Sequence, residues 1–91
     1  MTTQELVPLV KSWLRISAAS VDAEIEQTID ACVIDLKNAG AVTVLLSDTL
    51  IQQAVKLYCK AQFGFDDDAE KFGAAYEHLK AALALSGDYN Q

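Results

Sequence analysis

Three carboxylates in the first half of the chain have a spacing that a helix would gather on one face. Asp22, Glu26 and Asp30 follow one another at intervals of four residues, and residues four apart lie on the same side of a helix. An acidic face of this kind can pair with a basic surface or repel the phosphates of nucleic acid. It can also be a plain solvated face, and both interpretations stay open.

Two lysines show the same spacing later in the chain. Lys56 and Lys60 are four residues apart, so a helix would present both on one face. If identical copies associate, the acidic face of one copy could meet this basic face of the next. The alternative is that both faces are solvated and contact nothing.

The other residues that could perform chemistry form no recognisable catalytic or metal-binding set. The single histidine, His78, has alanines three and four residues away on both sides, where a second helical metal ligand would be expected. The adjacent acids Asp66–Asp68 lack the alternating spacing of a calcium loop, and with Glu70 they predict a helix start. Cys32 and Cys59 match no metal or redox spacing and predict two buried free thiols. We therefore expect no enzyme activity, no metal and no cofactor.

Length and charge restrict the classes of protein further. The chain has 91 residues, 52% of them hydrophobic, with 13 acidic against 7 basic residues and a net charge of −6. A net negative charge does not favour tight binding to nucleic acid. The longest apolar stretch is too short to span a bilayer, and the N-terminus lacks the pattern of a signal peptide.

The hydrophobic pattern predicts an all-α fold, a small bundle of about four helices within a single domain, residues 1–91. Apolar residues recur at helical spacing in four segments, for which we predict the bounds Glu5–Leu14, Asp22–Asn38, Asp48–Phe63 and Asp68–Leu85. Asn38-Ala39-Gly40 predicts the end of the second helix, and Ser47 or Asp48 the cap of the third. A short extended loop, "AVTVLL", joins these two helices, and residues 85–91 are predicted to be a flexible polar tail.

Two regions are candidates for contacts between copies of the chain. Trp13 continues the apolar stripe of Leu6, Leu9 and Val10, and Arg15 follows it, so both could anchor a subunit contact or lie at a helix end folded on the core. In the loop, Val42, Val44 and Leu45 could form an interface or a lid over the core of the same chain.

The order of several short motifs resembles the phage head–tail connector (adaptor) family, also described as phage DNA-packaging proteins. The matching stretches are "VKSWLRI", "VDAEIEQTIDAC", "LKNAG" and "LIQQAVKLYCKAQFGFDDDAEKFGAAYEHLKAALALSGDYN". They run from about Leu6 to Asn90, and they look like the version found in tailed phages or prophages of Gram-positive bacteria.

The resemblance implies a structural virion protein without catalytic activity. Its copies would form a ring of about 12 or 13 that is assembled in the host cytoplasm and located at the head–tail interface. The ring would dock on the portal protein after packaging, extend the DNA channel and receive a downstream connector or stopper protein. The resemblance also assigns portal docking to the C-terminal segment, here Asp88, Tyr89 and Asn90. DNA would only pass through the channel, and the acidic face could line it or contact a neighbour.

Two other classes of function remain as alternatives. A small helical DNA-binding regulator would need an exposed basic recognition helix, for which only the helix with Lys56 and Lys60 qualifies. An acidic inhibitor that mimics DNA would be a monomer that binds a basic partner.

Overall fold

Four α-helices account for most of the residues that the computed structural model describes, 1–63 and 68–90. Their bounds are Thr3–Leu14 (α1), Asp22–Ala39 (α2), Thr49–Phe63 (α3) and Ala69–Leu85 (α4), and a single 3₁₀ turn, Ala19–Val21, precedes α2. Across the described ranges no strand forms, and the α2–α3 loop (residues 40–48) has no regular secondary structure before the turn that precedes α3. The predicted all-α fold of about four helices is confirmed. The predicted roles of Asp66 and Asp67 in capping α4 lie outside the described residues, as does Gln91.

Helix α1 begins two residues earlier than predicted. Thr2 caps it, since its hydroxyl accepts a hydrogen bond from the Glu5 amide at 3.2 Å while its own amide donates to the Glu5 carboxylate at 3.0 Å. The hydrogen bond from the Thr2 amide is the main reason why the pKa of Glu5 lies below its ordinary value. Pro8 consequently lies inside the helix rather than in its first turn, and the prediction failed because it gave Pro8 more weight than the capping box.

The ends that flank the α2–α3 loop are where the sequence placed them. Gly40 has a φ of 117° and ends α2 in the left-handed conformation, with its amide bonded to the Leu36 and Lys37 carbonyls. A side chain there would strain the backbone, which explains the glycine. At the start of α3, Asp48 Oδ1 accepts from the amides of Leu50 at 2.8 Å and Ile51 at 3.3 Å. Asp48 is therefore the N-cap.

The helices form layers around one core. α1 packs against both α2 and α3, whereas α4 packs mostly against α3 and also contacts α2. Every helix contributes buried side chains, at intervals of three or four residues in α2 and of seven in α4. The largest of those that are fully buried are Leu6, Val10, Ile25, Ile29, Leu36, Ile51 and Val55. One residue of the predicted α1 stripe differs, because Leu9 is 37% exposed while Val7 is buried in its place.

Candidate functional site

The three predicted acids lie together along one edge of α2, beside α1. Lys11 donates to Asp22 at 2.7 Å, and the Thr3 hydroxyl donates to Asp30 at 2.8 Å. Glu26 lies between them and is partly buried. We call Asp22, Glu26 and Asp30 the acidic edge. It is a structured border between two helices, since α1 contacts it at both ends.

A recess opens next to the acidic edge, between α1 and α2. It has a volume of about 200 Å³ and is lined by Gln4, Val7, Pro8, Asp22 and Glu26. Its wall is apolar at Val7 and Pro8 and acidic on the α2 side. Because Pro8 has no N–H, the Gln4 carbonyl lacks the helical hydrogen bond that it would otherwise receive. The recess is thus rich in hydrogen-bond acceptors.

The two predicted lysines lie on α3, where each ammonium group is held over an aromatic ring of its own chain. Lys56 Nζ lies 5.9 Å from the centre of the Trp13 ring, and Lys60 Nζ lies 5.0 Å from that of Phe72. Cation–π contacts at these distances orient a lysine without neutralising its charge. We call Lys56 and Lys60 the basic edge. Within a single copy it does not meet the acidic edge.

Trp13 and Arg15 have different environments at the end of α1. Trp13 is partly buried and packs against the core, so part of its surface belongs to the interior. Arg15 is exposed and ends α1 with a φ of 58°, in the left-handed region. A residue with a Cβ pays roughly 1–2 kcal/mol for this conformation. Whether either residue contacts another copy stays a prediction.

The α2–α3 loop divides into an inner and an outer set of side chains. Val44 and Leu46 are partly buried against the core, whereas Val42 and Leu45 are 48% and 61% exposed. The lid interpretation therefore describes Val44. An interface role remains a prediction for Val42, Val44 and Leu45, and Val42 and Leu45 have the most apolar surface that the described chain does not cover.

The C-terminal tail folds back onto this loop. The Tyr89 hydroxyl lies 3.0 Å from both carboxylate oxygens of Asp48, and the Tyr89 carbonyl accepts from the Thr43 amide at 2.9 Å. The Asn90 side chain donates to the Ala84 carbonyl at 3.3 Å, and Asp88 is exposed. The pKa of Tyr89 is raised by desolvation and by its bond to Asp48. The predicted portal-docking residues are thus close to the predicted interface loop, which sequence reasoning did not foresee. The flexibility of residues 85–91 stays a prediction.

A family model described as "Phage connector protein" matches residues 7–90. The chain belongs to the phage connector protein family. No curated protein and no solved structure matches it significantly. Members of a connector family are structural phage proteins of a non-enzymatic kind, which associate with the portal or other head–tail proteins. The predicted head–tail connector family is confirmed, and the Gram-positive host stays a prediction.

This connector-family chain also contains a polar cluster between α2 and α4 that the sequence did not reveal. Asp35 Oδ2 accepts from the Tyr76 hydroxyl at 2.7 Å and from Lys80 Nζ at 3.0 Å. The Tyr76 bond is the main cause that holds the pKa of Asp35 below its ordinary value, and Lys80 adds to it. The one sign of this cluster in the sequence was Tyr76 on the apolar stripe of the fourth helix. A tyrosine buried there needs a hydrogen-bond partner for its hydroxyl.

Both cysteines of the connector-family chain are buried and free, as predicted. Burial raises the pKa of each thiol to about 12. Because the thiolate is the form that reacts and binds metals, neither cysteine is suited to catalysis or redox exchange.

In the two described ranges, no group of three metal-binding side chains is placed to hold an ion, and His78 is exposed on α4. Among the described residues, none of the helices is long and apolar enough to cross a membrane.

Proposed function

We propose that this chain is a ring-forming head–tail connector that docks on the portal of a tailed phage and extends the DNA channel. The match to the connector family over residues 7–90 carries the proposal. The ring would have about 12 or 13 copies, lie at the head–tail interface of the virion and receive a downstream connector or stopper protein. Its assembly would take place in the cytoplasm of the host, a Gram-positive bacterium.

Exposed apolar side chains at one end of the folded molecule support a role in assembly. Gln52 Nε2 donates to the Leu46 carbonyl and contacts Met1 Sδ, so the N-terminus, the loop and the start of α3 meet there. The Thr43–Tyr89 bond adds the tail to this end. These segments carry five strongly exposed apolar residues, which we call the apolar end: Met1, Val42, Leu45, Leu50 and Leu85. A small domain gains stability when a second copy or a partner covers such surface.

The charge of the chain also suits a channel through which DNA slides. A net charge of −6 opposes contact with phosphates. A wall that repels the backbone lets DNA pass without being retained. We include Asp22, Glu26 and Asp30 in the proposal. These acids would either face the channel or contact the neighbouring copy.

Portal capture is the direct test of the proposed function. The chain is mixed with the purified portal ring of the same phage and run on size exclusion with light scattering. We expect co-elution with a number of copies that matches the symmetry of the portal. A chain that stays separate from the portal at both low and physiological salt would contradict the proposal.

A truncated variant tests the assignment of docking to the tail. Removal of residues 87–91 eliminates Tyr89 and its bonds to the loop but leaves all four helices in place. We expect unchanged helicity by circular dichroism and a loss of portal binding of at least tenfold. Tyr89→Phe is the matched control, because it keeps the length and the ring of the tail. Equal portal affinity of the truncated and full chains would refute the assignment.

A DNA-binding regulator is the alternative that a gel shift can decide. Lys56 and Lys60 would have to hold DNA phosphates against the net charge of −6 that the chain carries. We expect no shift of a duplex at low salt. A shift that salt abolishes would favour the regulator instead.

A further inference from the structure

The acidic and basic edges lie on different sides of α1. Lys11, which binds Asp22, and Trp13, which underlies Lys56, are two residues apart in this helix. Two residues correspond to roughly 200° of rotation around an α-helix. Asp22 and Lys56 therefore contact opposite sides of α1, and Lys60 lies against Phe72 of α4. Among the described residues no ion pair joins the two edges within one copy.

Each edge has two charged groups without an ion pair, negative on one edge and positive on the other. Within residues 1–63 and 68–90, Asp22 is paired with Lys11, Asp30 accepts only from a neutral hydroxyl, and Glu26 has no cation within ion-pair distance. On the other edge, Lys56 and Lys60 have no carboxylate partner in the same described ranges. Glu26 and Asp30 are four residues apart on one edge, and Lys56 and Lys60 are four residues apart on the other. The two pairs of opposite charges therefore have the same spacing along their helices.

The recess between α1 and α2 has the volume and the lining residues to receive a lysine side chain. The aliphatic stem of a lysine would lie on Val7 and Pro8, and its ammonium group would reach Glu26 and the Gln4 carbonyl. Lysine side chains commonly bury their stem and keep the charged end at a polar site. The basic edge supplies two such side chains, each already oriented by an aromatic ring.

We propose that the acidic edge of one copy binds the basic edge of the next copy, with a lysine of α3 inserted in the recess beside Glu26. This inference rests on the proposed function, because it specifies how neighbouring subunits of the ring contact one another. The two edges are different surfaces, so the contact is heterologous and repeats from copy to copy. A heterologous contact whose rotation closes produces a ring.

Zero-length crosslinking tests the contact directly. A carbodiimide joins a carboxylate to an amine only where the two touch. An equal mixture of ¹⁴N- and ¹⁵N-labelled chains is treated with and without the portal ring, and mixed-isotope peptides are identified by mass spectrometry. We expect peptides that join Glu26 or Asp30 to Lys56 or Lys60. The inference is wrong if intermolecular links are absent or join the acidic edge only to Lys37 or Lys71.

Charge reversal provides a second test with an internal rescue. Lys56→Glu/Lys60→Glu makes both edges acidic, and Glu26→Lys/Asp30→Lys makes both basic while the Lys11–Asp22 pair is kept. We expect each variant to self-associate at least tenfold more weakly at low salt, and an equal mixture of the two to recover association. Lys37→Glu/Lys71→Glu is the matched control, since it changes the net charge equally on exposed residues outside the edges.

The outcomes separate this inference from the proposed function. If the reversed variants still form a ring on the portal, the edges are not the contact and the connector role stands. If the unmodified chain associates neither with itself nor with the portal, both fail. If the mixture does not recover what each variant loses, the loss comes from damage to the fold and the inference is refuted.

Discussion

At the scale of single residues, Pro8 is the least expected feature of α1. It is the sixth residue of the helix, where it removes one hydrogen bond and crowds the carbonyl of Gln4. Its ring lines the recess and not the core. Pro8 therefore lowers the stability of α1 while shaping a surface.

Replacement of Pro8 tests this cost. We expect Pro8→Ala to raise the free energy of unfolding by about 1–3 kcal/mol, because the variant restores a helical hydrogen bond. Urea denaturation followed by circular dichroism measures it. Pro8→Gly restores the same N–H at a lower helix propensity, so its gain should be smaller. A Pro8→Ala variant that is no more stable than the original chain would contradict this account.

The lowered pKa of Asp35 predicts that the free energy of unfolding depends on pH in the acid range. Its pKa is lowered in the folded state relative to the ordinary 3.8, so its stabilising contribution is present above pH 3.8 and is lost as the pH falls through the lower, folded value. We expect Asp35→Asn to cost about 0.5–1 kcal/mol at pH 7, a small figure because the carboxylate is 40% exposed and screened.

The pH series that checks this uses urea denaturation between pH 7 and pH 2.5. The difference between Asp35→Asn and the original chain should be constant above about pH 5 and shrink below the ordinary pKa of Asp. Asp88→Asn, on an exposed tail residue, is the control and should show little difference. A gap that persists unchanged at pH 2.5 would show that the Asp35 charge is not its source.

At the scale of elements, the sequence predicted helices better than the contacts between them. Gly40 and Asp48 marked their helix ends correctly because caps are local, whereas the start of α1 was misplaced by two local signals that disagreed. The partners of Asp35 and Tyr89 were not predicted, since each lies 41 residues from the group that it binds. Leu9 was misplaced for the same reason, because the exact side of α1 that is buried depends on where α2 and α3 lie.

Asp48 links the start of α3 with the tail. We expect Asp48→Ala to destabilise the chain by about 1–2 kcal/mol, because it removes the N-cap and the acceptor of Tyr89. Asp48→Asn keeps an acceptor oxygen for the helix amides and should cost less. Thermal and urea unfolding measure both. Equal losses for Ala and Asn would mean that the cap contributes little.

At the scale of the whole molecule, the fold class and the family followed from the sequence, while the surfaces did not. Periodicity identified four helices, and the order of motifs identified the connector family. Helical spacing predicted which charged residues share an edge, but the partners of those residues and the apolar residues that remain uncovered depend on the packing of all the helices. Lys56 illustrates this, since its aromatic partner, Trp13, lies on a different helix.

The apolar end gives a prediction about assembly. We expect Val42→Ser/Leu45→Ser to leave the stability of the single chain within about 0.5 kcal/mol, because Val42 is 48% and Leu45 61% exposed. The same variant should assemble on the portal more weakly by tenfold or more. Ile34→Ser removes a side chain that is 59% exposed on α2 and is the control. Unchanged assembly of the double variant would exclude the loop from the interface.

The burial of Cys32 and Cys59 has a practical consequence. At pH 8 both thiols are almost entirely protonated and shielded from reagents. A cysteine introduced on the surface would therefore be the single site for a fluorophore or spin label. Individual subunits could then be followed by light or magnetic resonance as they join a growing assembly, without removal of either natural thiol.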